Sequence, residues 1–331
     1  MNRPPIVAEG LVRRFGDIQA VDGIDLAVQP GEIFGFLGPN GAGKSTTVRM
    51  LTTLLKPSGG RAFVAGYDVF KEAHQVRQAI GVALQDAAID PLMTGRELLR
   101  LQATLHGIPR RKGRAKGEEL LETVGLMSAA ARRVGTYSGG MRRRLDLALA
   151  LIHGPQILFL DEPTTGLDPN SRLAVWDEVR KLNREAGTTV FLTTQYMEEA
   201  DRLAGRIAII DDGRLVSEGT PAVLKAQVGD PSIHVQLASN EDRISAEAVL
   251  LDFGAPAAAR SGYVAARLPG GANQMAAVVR ALDDAHLPVE AIELHMPSLD
   301  DVFQVATGHR LEGAEDDAVA EPGAGEVAAE K

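Results

Sequence analysis

At 331 residues, 45% of them hydrophobic and 24% charged, the chain is long enough for two domains that together bury most of their unfolded surface. The net charge of −9 argues against general nucleic-acid binding, but −5 of it falls from Arg310 onward, where seven acids face two bases, so the remainder barely constrains partners. The absence of cysteine excludes disulfides, thiolate metal sites and cysteine nucleophiles, and no apolar run approaches the ~20 residues that span a bilayer, so no transmembrane segment is expected.

The opening MNRPPIVAEG lacks the apolar core of a signal peptide. Residues 6–37 then read as three short strands, VAEGLVRRFG, AVDGIDLAV and QPGEIFGFL, each ended by Gly or Pro. Phe15 closes the first; it could stack on a flat base or pack in a core.

After the strand-like EIFGFL comes GPNGAGKST, made of Gly38, Pro39, Asn40, Gly41, Ala42, Gly43, Lys44, Ser45 and Thr46. This fits the phosphate-binding pattern G-x-x-x-x-G-K-[ST]. Glycines keep side chains away so that backbone N–H groups can surround a polyphosphate, and the following helix N-terminus adds its positive end. Lys44 supplies a full charge and Ser45 a hydroxyl for Mg²⁺. A plain glycine turn is the alternative, but the strand-like EIFGFL before the loop and the apolar helix face of Val48, Leu51 and Leu55 after it favour the nucleotide reading.

A KPSGG turn leads to the strand-like RAFVAG, a short helix and the strand IGVAL, which ends at Gln85 where open α/β sheets carry their ligands. Residues 94–126 turn helical, interrupted by PRRKGRAKG. Its five basic residues read as a solvated loop between helices, with contact to anionic lipid headgroups as the sharper alternative. YSGGMRRR follows, with Ser138, Gly139 and Gly140 before an Arg-rich helix: a second anion-binding helix start, or an ordinary serine N-cap.

QILFL reads as a buried parallel strand that ends in Asp161 and Glu162. Asp161 suits an acid that holds Mg²⁺ through water, and Glu162 is placed to polarise a water for in-line attack. A helix, the strand TTVFLTT ending at Gln195, and the strand RIAII follow, and the alternation implies a parallel, helix-covered sheet.

At this point the chain resembles the ATP-binding cassette (ABC) ATPases. The resemblance covers about residues 6–226 and rests on GPNGAGKST, a Q-loop-like Gln85, the signature-like YSGGM, ILFLDEP and the D-loop-like TGLD that ends at Asp168, in the family's order. It implies ATP and Mg²⁺ as ligands, with Gln85 and Ser45 beside the metal and Asp161 holding it. It also implies a head-to-tail homodimer in which Ser138, Gly139 and Gly140 of one chain meet the ATP held by the other. Two positions depart from the pattern. Met141 stands where most members have Gln, and Gln195 occupies the place of the switch histidine, able to position water but unable to become cationic. Glu162 is therefore expected to be the main base, with Gln195 positioning.

The expected fold is α/β: an ABC ATPase domain over residues 1–228, with a parallel sheet, an N-terminal antiparallel β layer and a helical insertion at about 94–154. A small α/β regulatory or assembly domain over 229–309 follows, closed by PSLDDVFQVATG with Ser298 as N-cap and Asp301 three residues on. An acidic tail over 310–331 lacks the apolar content to fold. YSGGMRRR, LTTQYMEEAD and PSLDDVFQVATG together resemble the daunorubicin/doxorubicin-resistance ATP-binding subunits. That implies a peripheral protein on the cytoplasmic face of the membrane, powering drug export through a separate permease that docks on the helical insertion, with no nucleic acid involved. Two alternatives stay open: a soluble ABC ATPase acting on ribosomes or DNA, and a slow nucleotide switch.

Overall fold

Apolar residues on both parities of a strand mean that both faces are covered, and the runs at 33–37, 157–161 and 189–194 have this character. In the computed structural model, which describes residues 3–84, 89–239, 242–257, 259 and 262–308, these runs lie at the centre of a six-stranded sheet. Gln85 and the tail 310–331 lie outside the described residues. The described chain forms two compact units, one up to Pro221 together with the last residues from 306, the other Ala222–Val305.

The first unit opens with β1 (Ile6–Phe15) and β2 (Ile18–Val28), then β3 (Ile33–Leu37), α1 (Lys44–Leu51), β4 (Gly59–Val64) and β5 (Tyr67–Asp68). Strands β1, β2, β4 and β5 form an antiparallel layer in the order β2-β1-β4-β5. Gly16 follows β1 and Pro30 lies just past β2, as the sequence leads one to expect, and two further glycines, Gly10 and Gly23, are not ends. They sit inside them at positive φ of 54° and 74°, with register shifts beside Gly10, so the sequence's turn signals mark bulges here.

Next come α2 (Ala73–Ala79), β6 (Ile80–Ala83), α3 (Gly95–Leu105), α4 (Arg110–Thr123), α5 (Gly139–Leu151), β7 (Ile157–Asp161), α6 (Pro169–Ala186), β8 (Thr189–Thr194), α7 (Met197–Leu203), β9 (Arg206–Asp211) and β10 (Arg214–Gly219). The main sheet runs β10-β9-β3-β8-β7-β6, parallel except for the edge strand β10. Phe34, Phe36, Phe159 and Phe191 meet on the face toward the antiparallel layer, with Phe191 at the hub 5.4–5.6 Å from each of the others. Leu158, Leu160, Val190 and Leu192 have the opposite parity and pack against the helices.

The PRRKGRAKG stretch is not a loop. It forms the first half of α4, with Pro109 as N-cap. The reason lies in its glycines, which read as breakers but serve as a contact face. A Cβ on Gly113 would lie 2.8 Å from Ala103 Cβ, and one on Gly117 would lie 3.4 Å from Leu99 Cβ. Two glycines four residues apart let α4 lie close against α3, while Arg110, Arg111, Lys112 and Arg114 remain exposed.

The second unit contains most of α8 (Pro221–Val228), then β11 (Ser232–Leu237), α9 (Arg243–Leu251), β12 (Tyr263–Arg267), α10 (Met275–Asp284) and β13 (Val289–His295). Its antiparallel sheet, in the order β12-β11-β13, packs Ile233, Val235 and Val264 against Leu250, Val278 and Leu282. α11 (Leu299–Thr307) begins with a reciprocal capping box: Asp301 N–H donates to Ser298 Oγ at 3.2 Å, and Ser298 N–H donates to Asp301 Oδ2 at 2.8 Å.

Candidate functional site

The site begins at the carboxyl edge of the parallel sheet, where β3 runs into the glycine loop and α1. Side chains alternate along a strand, so Asp161 shares the parity of Ile157 and Phe159, and Thr193 that of Phe191. Asp161 and Thr193 are direct register partners on β7 and β8, so both face the loop side of the sheet. Thr193 Oγ1 donates to Asp161 Oδ1 at 2.5 Å, and Ser45 Oγ donates to the same oxygen at 3.2 Å. Asp161 is 1% exposed.

The loop is built for close approach. A Cβ on Gly38 would stand 2.3 Å from Ile210 O, and one on Gly43, at φ 103°, would stand 2.4 Å from Ala20 O. Only glycine fits at either place. Gly43 is also the N-cap of α1 and offers no side-chain cap, so the first-turn N–H groups of α1 are left to face an anion. Pro39, Asn40, Gly41 and Ala42 complete the turn between these fixed points, and Thr46 stands in the first turn of α1.

Lys44 is buried at the centre. Its Nζ donates to Gly38 O at 2.8 Å and to Pro39 O at 2.9 Å, and it pairs with Glu162 Oε1 at 3.2 Å. Burial pulls its pKa down, opposed by Glu162 and Asp161. Glu162 itself stands at φ 48°, a left-handed backbone that costs a non-glycine residue about 1–3 kcal/mol. Its N–H is held by Thr193 O and Thr193 Oγ1, both at 3.1 Å, and Thr165 Oγ1 donates to Glu162 Oε2 at 3.3 Å. A cation, a hydroxyl and two carboxylates thus converge at a helix N-terminus. This set suits a polyphosphate with a divalent ion: positive groups for the phosphates, Ser45 and Asp161 for the metal, and Glu162 for a water.

The other described candidates stand at the ends of β1, β8, α5 and α6. Gln195 follows directly after β8 and is half-buried. Phe15 is exposed at the end of β1, with the Arg13 guanidinium 4.4 Å above its ring. Ser138 caps α5, its Oγ accepting from Met141 N–H at 3.2 Å. Asp168 caps α6, accepting from Ser171 N–H at 3.0 Å and Ser171 Oγ at 2.6 Å, bonds that hold its carboxyl below the usual range. A Cβ on Gly140 would lie 2.6 Å from Ser171 Oγ, so the starts of α5 and α6 touch through this glycine.

Three residues escaped the sequence reading. Thr193 orients both acids. Glu199, fully buried, accepts from Thr164 Oγ1 at 2.9 Å and Trp176 Nε1 at 2.7 Å, and burial pushes its carboxyl up. Arg143 is partly buried, its guanidinium donating to Asp161 O. Thr193 has Thr194 beside it and Glu199 has Glu198, so in each case a like neighbour hides which of the two is turned inward. Arg143 was masked by two neighbouring arginines.

The ABC transporter family matches residues 21–165. A daunorubicin resistance ATP-binding protein (DrrA2) of Streptomyces coeruleorubidus is 48% identical over 93% of this chain and 96% of its own length. The daunorubicin/doxorubicin resistance ATP-binding protein DrrA of Streptomyces peucetius is 47% identical over 93% and 95%. Among solved structures, a cassette of Clostridium perfringens described as part of an ABC transporter complex superposes with TM-score 0.63 at 25% identity, covering 68% of this chain and 92% of that one. The dimeric structure of a bacterial ABC transporter cassette gives 0.60 at 27% identity, covering 65% and 98%.

Proposed function

The chain belongs to the ABC ATPases, in the group of daunorubicin/doxorubicin resistance ATP-binding proteins, and from that membership we propose that it powers a separate integral-membrane permease exporting a hydrophobic drug or antibiotic. It is an ATP-binding ATPase. The reading rests on one observation above the others: Lys44, Ser45, Asp161 and Glu162 converge on the glycine loop in a chain alike over 93% of its length to a daunorubicin-resistance subunit.

In this reading the loop N–H groups and Lys44 take the β- and γ-phosphates of ATP, and Lys44 exchanges its Glu162 partner for phosphate oxygen. Mg²⁺ would supply charge neutralisation between phosphate oxygens, with Ser45 Oγ and, through water, Asp161 as its protein contacts. Among the described residues no three His, Asp or Glu side chains form a metal cage of their own, which fits an ion held jointly with phosphate. Glu162, released from Lys44, accepts a proton from the attacking water, and Gln195 orients that water through its neutral amide. Gln85 is proposed as the contact to the γ-phosphate or the metal, Phe15 as a stacking surface for the base, and Asp168 as part of the turn between the two sites.

Ser138, Gly139 and Gly140 are the start of a second anion site on α5, and they are proposed to meet the ATP of another copy of the chain in a homodimer. One solved relative is itself dimeric. Among the described residues no helix is long and apolar enough to cross a membrane, so the transport step needs the permease. The proposed location is peripheral, on the cytoplasmic face. The region of α3 to α5 is proposed to receive the permease, and the unit 222–305, with α11, to serve regulation or assembly.

Purifying the tagged full chain from membranes tests the whole reading. A co-purifying integral-membrane protein that raises ATP turnover supports it. Recovery with ribosomes instead would overturn it, and turnover that stays near zero with the permease bound would favour a nucleotide switch.

A further inference from the structure

Arg143 lies five residues after Ser138 on α5, and its guanidinium reaches three separate backbone segments. Nη2 donates to Asp161 O at 2.7 Å, Nε to Pro163 O at 2.9 Å, and Nη1 to Leu84 O at 2.7 Å. These carbonyls lie where β7 ends, in the turn just after Glu162, and immediately before Gln85. They lie at or just past the ends of β6 and β7, and a planar fork with five N–H donors is suited to gather them.

The fourth partner faces another way. Arg143 Nη1 also donates to Asp146 Oδ2 at 3.1 Å, and each of the two side chains is 12% exposed. Arg143 lines a cavity of about 430 Å³ together with Gly139, Glu162, Thr165 and Gly166. Asp146 lines a different one of about 460 Å³, with Leu54, Leu84, His106, Leu149 and His153, between the main sheet and the helical region. The ion pair therefore has one member on a cavity that reaches Glu162 and the other on a separate groove. Burial lowers the Arg143 pKa, opposed by the fields of Asp146, Asp161, Glu199 and Glu162.

A buried arginine is an expensive way merely to fasten a helix, because an apolar residue of similar volume does that without desolvating a charge. What the fork adds is simultaneous direction of three backbone segments. We propose that Arg143 is a positioning residue that locks the helix carrying Ser138 to the Asp161–Glu162 turn and to the segment entering Gln85, with Asp146 holding it from the groove side. Each chain's own acid turn and the serine it presents to another copy then move as one body. This rests on the shared-site reading of Ser138.

The test uses the full chain. In a Glu162→Gln background, ATP-driven dimerisation is measured by light scattering, with nucleotide affinity measured separately by binding of a fluorescent ATP analogue. Arg143→Lys keeps the charge beside Asp146 and loses the fork. It is expected to bind nucleotide within about 3-fold of the parent but to dimerise roughly 10–100-fold more weakly, as loss of charge-assisted hydrogen bonds implies. In the Glu162 protein the same change should lower kcat with KM nearly unchanged and bring the Hill coefficient toward one. Asp146→Asn, which leaves the three carbonyl bonds in place, should have the milder effect. If Arg143→Lys dimerises and turns over like its parent, the proposal is overturned. A parallel fall in melting temperature, affinity and turnover overturns it too, because that is the behaviour of a merely structural residue. If the Glu162→Gln protein itself stays monomeric with ATP, the shared-site reading falls, and the coupling role with it.

Discussion

Lys44 Nζ lies 3.2 Å from Glu162 Oε1, with the two side chains 4% and 6% exposed, so the cation proposed for phosphate and the carboxylate proposed for water neutralise each other. Neither could be buried alone at acceptable cost. The pairing also implies an order of events. On the proposed roles, Glu162 would be released to act as a base when an anion takes its place at Lys44.

Glu162→Gln should therefore separate binding from chemistry. Turnover is expected to fall by roughly 10²–10⁴-fold, the usual loss with a general base. ATP affinity should hold or tighten, because the carboxylate that competes for Lys44 is gone. Steady-state hydrolysis and equilibrium binding on the same preparation check both. Parent-like hydrolysis would remove Glu162 from the role of base.

Thr193→Val tests the alignment of the two acids. It removes the donor to Asp161 Oδ1 and one acceptor of the Glu162 N–H while keeping β-branched packing in β8. Loss of a buried hydrogen bond of this kind corresponds to about 10-fold in kcat. Nucleotide affinity should change less, since Thr193 does not touch the loop lysine. Equal losses in both would show that Thr193 acts through the loop after all.

Gln195 is the neutral residue proposed to position the water. Gln195→Ala is expected to lower kcat by about 10-fold or more, through loss of a positioned amide, while leaving binding intact. Gln195→His should restore turnover and add a dependence on pH near the imidazole range of about 6–7. A Gln195→Ala protein with unchanged kcat would place the water under other control.

Asp146 sets a pH signature on stability. Burial pushes its carboxyl from 3.8 up to about 6, against the attraction of Arg143. Between those values the folded chain keeps a proton that the unfolded chain has released. The stability tied to that proton is complete below about pH 4 and is lost as pH rises through about 6. Asp146→Asn cannot titrate, so its melting temperature relative to the parent should climb from about pH 4.5 to about pH 7. A difference that stays flat would mean that the carboxyl does not titrate there.

Gly113 and Gly117 separate two opposing effects on α4. Replacing a helical glycine by alanine gains about 1 kcal/mol from backbone entropy. Gly117→Ala meets Leu99 Cβ at 3.4 Å, an ordinary contact, and should match or exceed the parent in melting temperature. Gly113→Ala meets Ala103 Cβ at 2.8 Å, where overpacking of about 1–3 kcal/mol outweighs the gain. Its melting temperature should fall. The reverse order would deny the close packing of α3 on α4.

The sequence by itself determined what contiguous residues can encode. The glycine loop specifies its own backbone path, its lysine and its helix start, and the two acids after ILFL announce a buried strand ending at a site. The α/β class follows from the same alternation of short apolar runs and helices. Tertiary structure alone decided which polar groups meet. Thr193 finds Asp161 from 32 residues away, and Arg143 reaches Leu84 O across 59, through strand register and helix packing that no local pattern carries. The same holds for PRRKGRAKG. Its glycines carry the same local signal whether they break a helix or let one lie close, and what settles the matter is the presence of α3 at van der Waals distance.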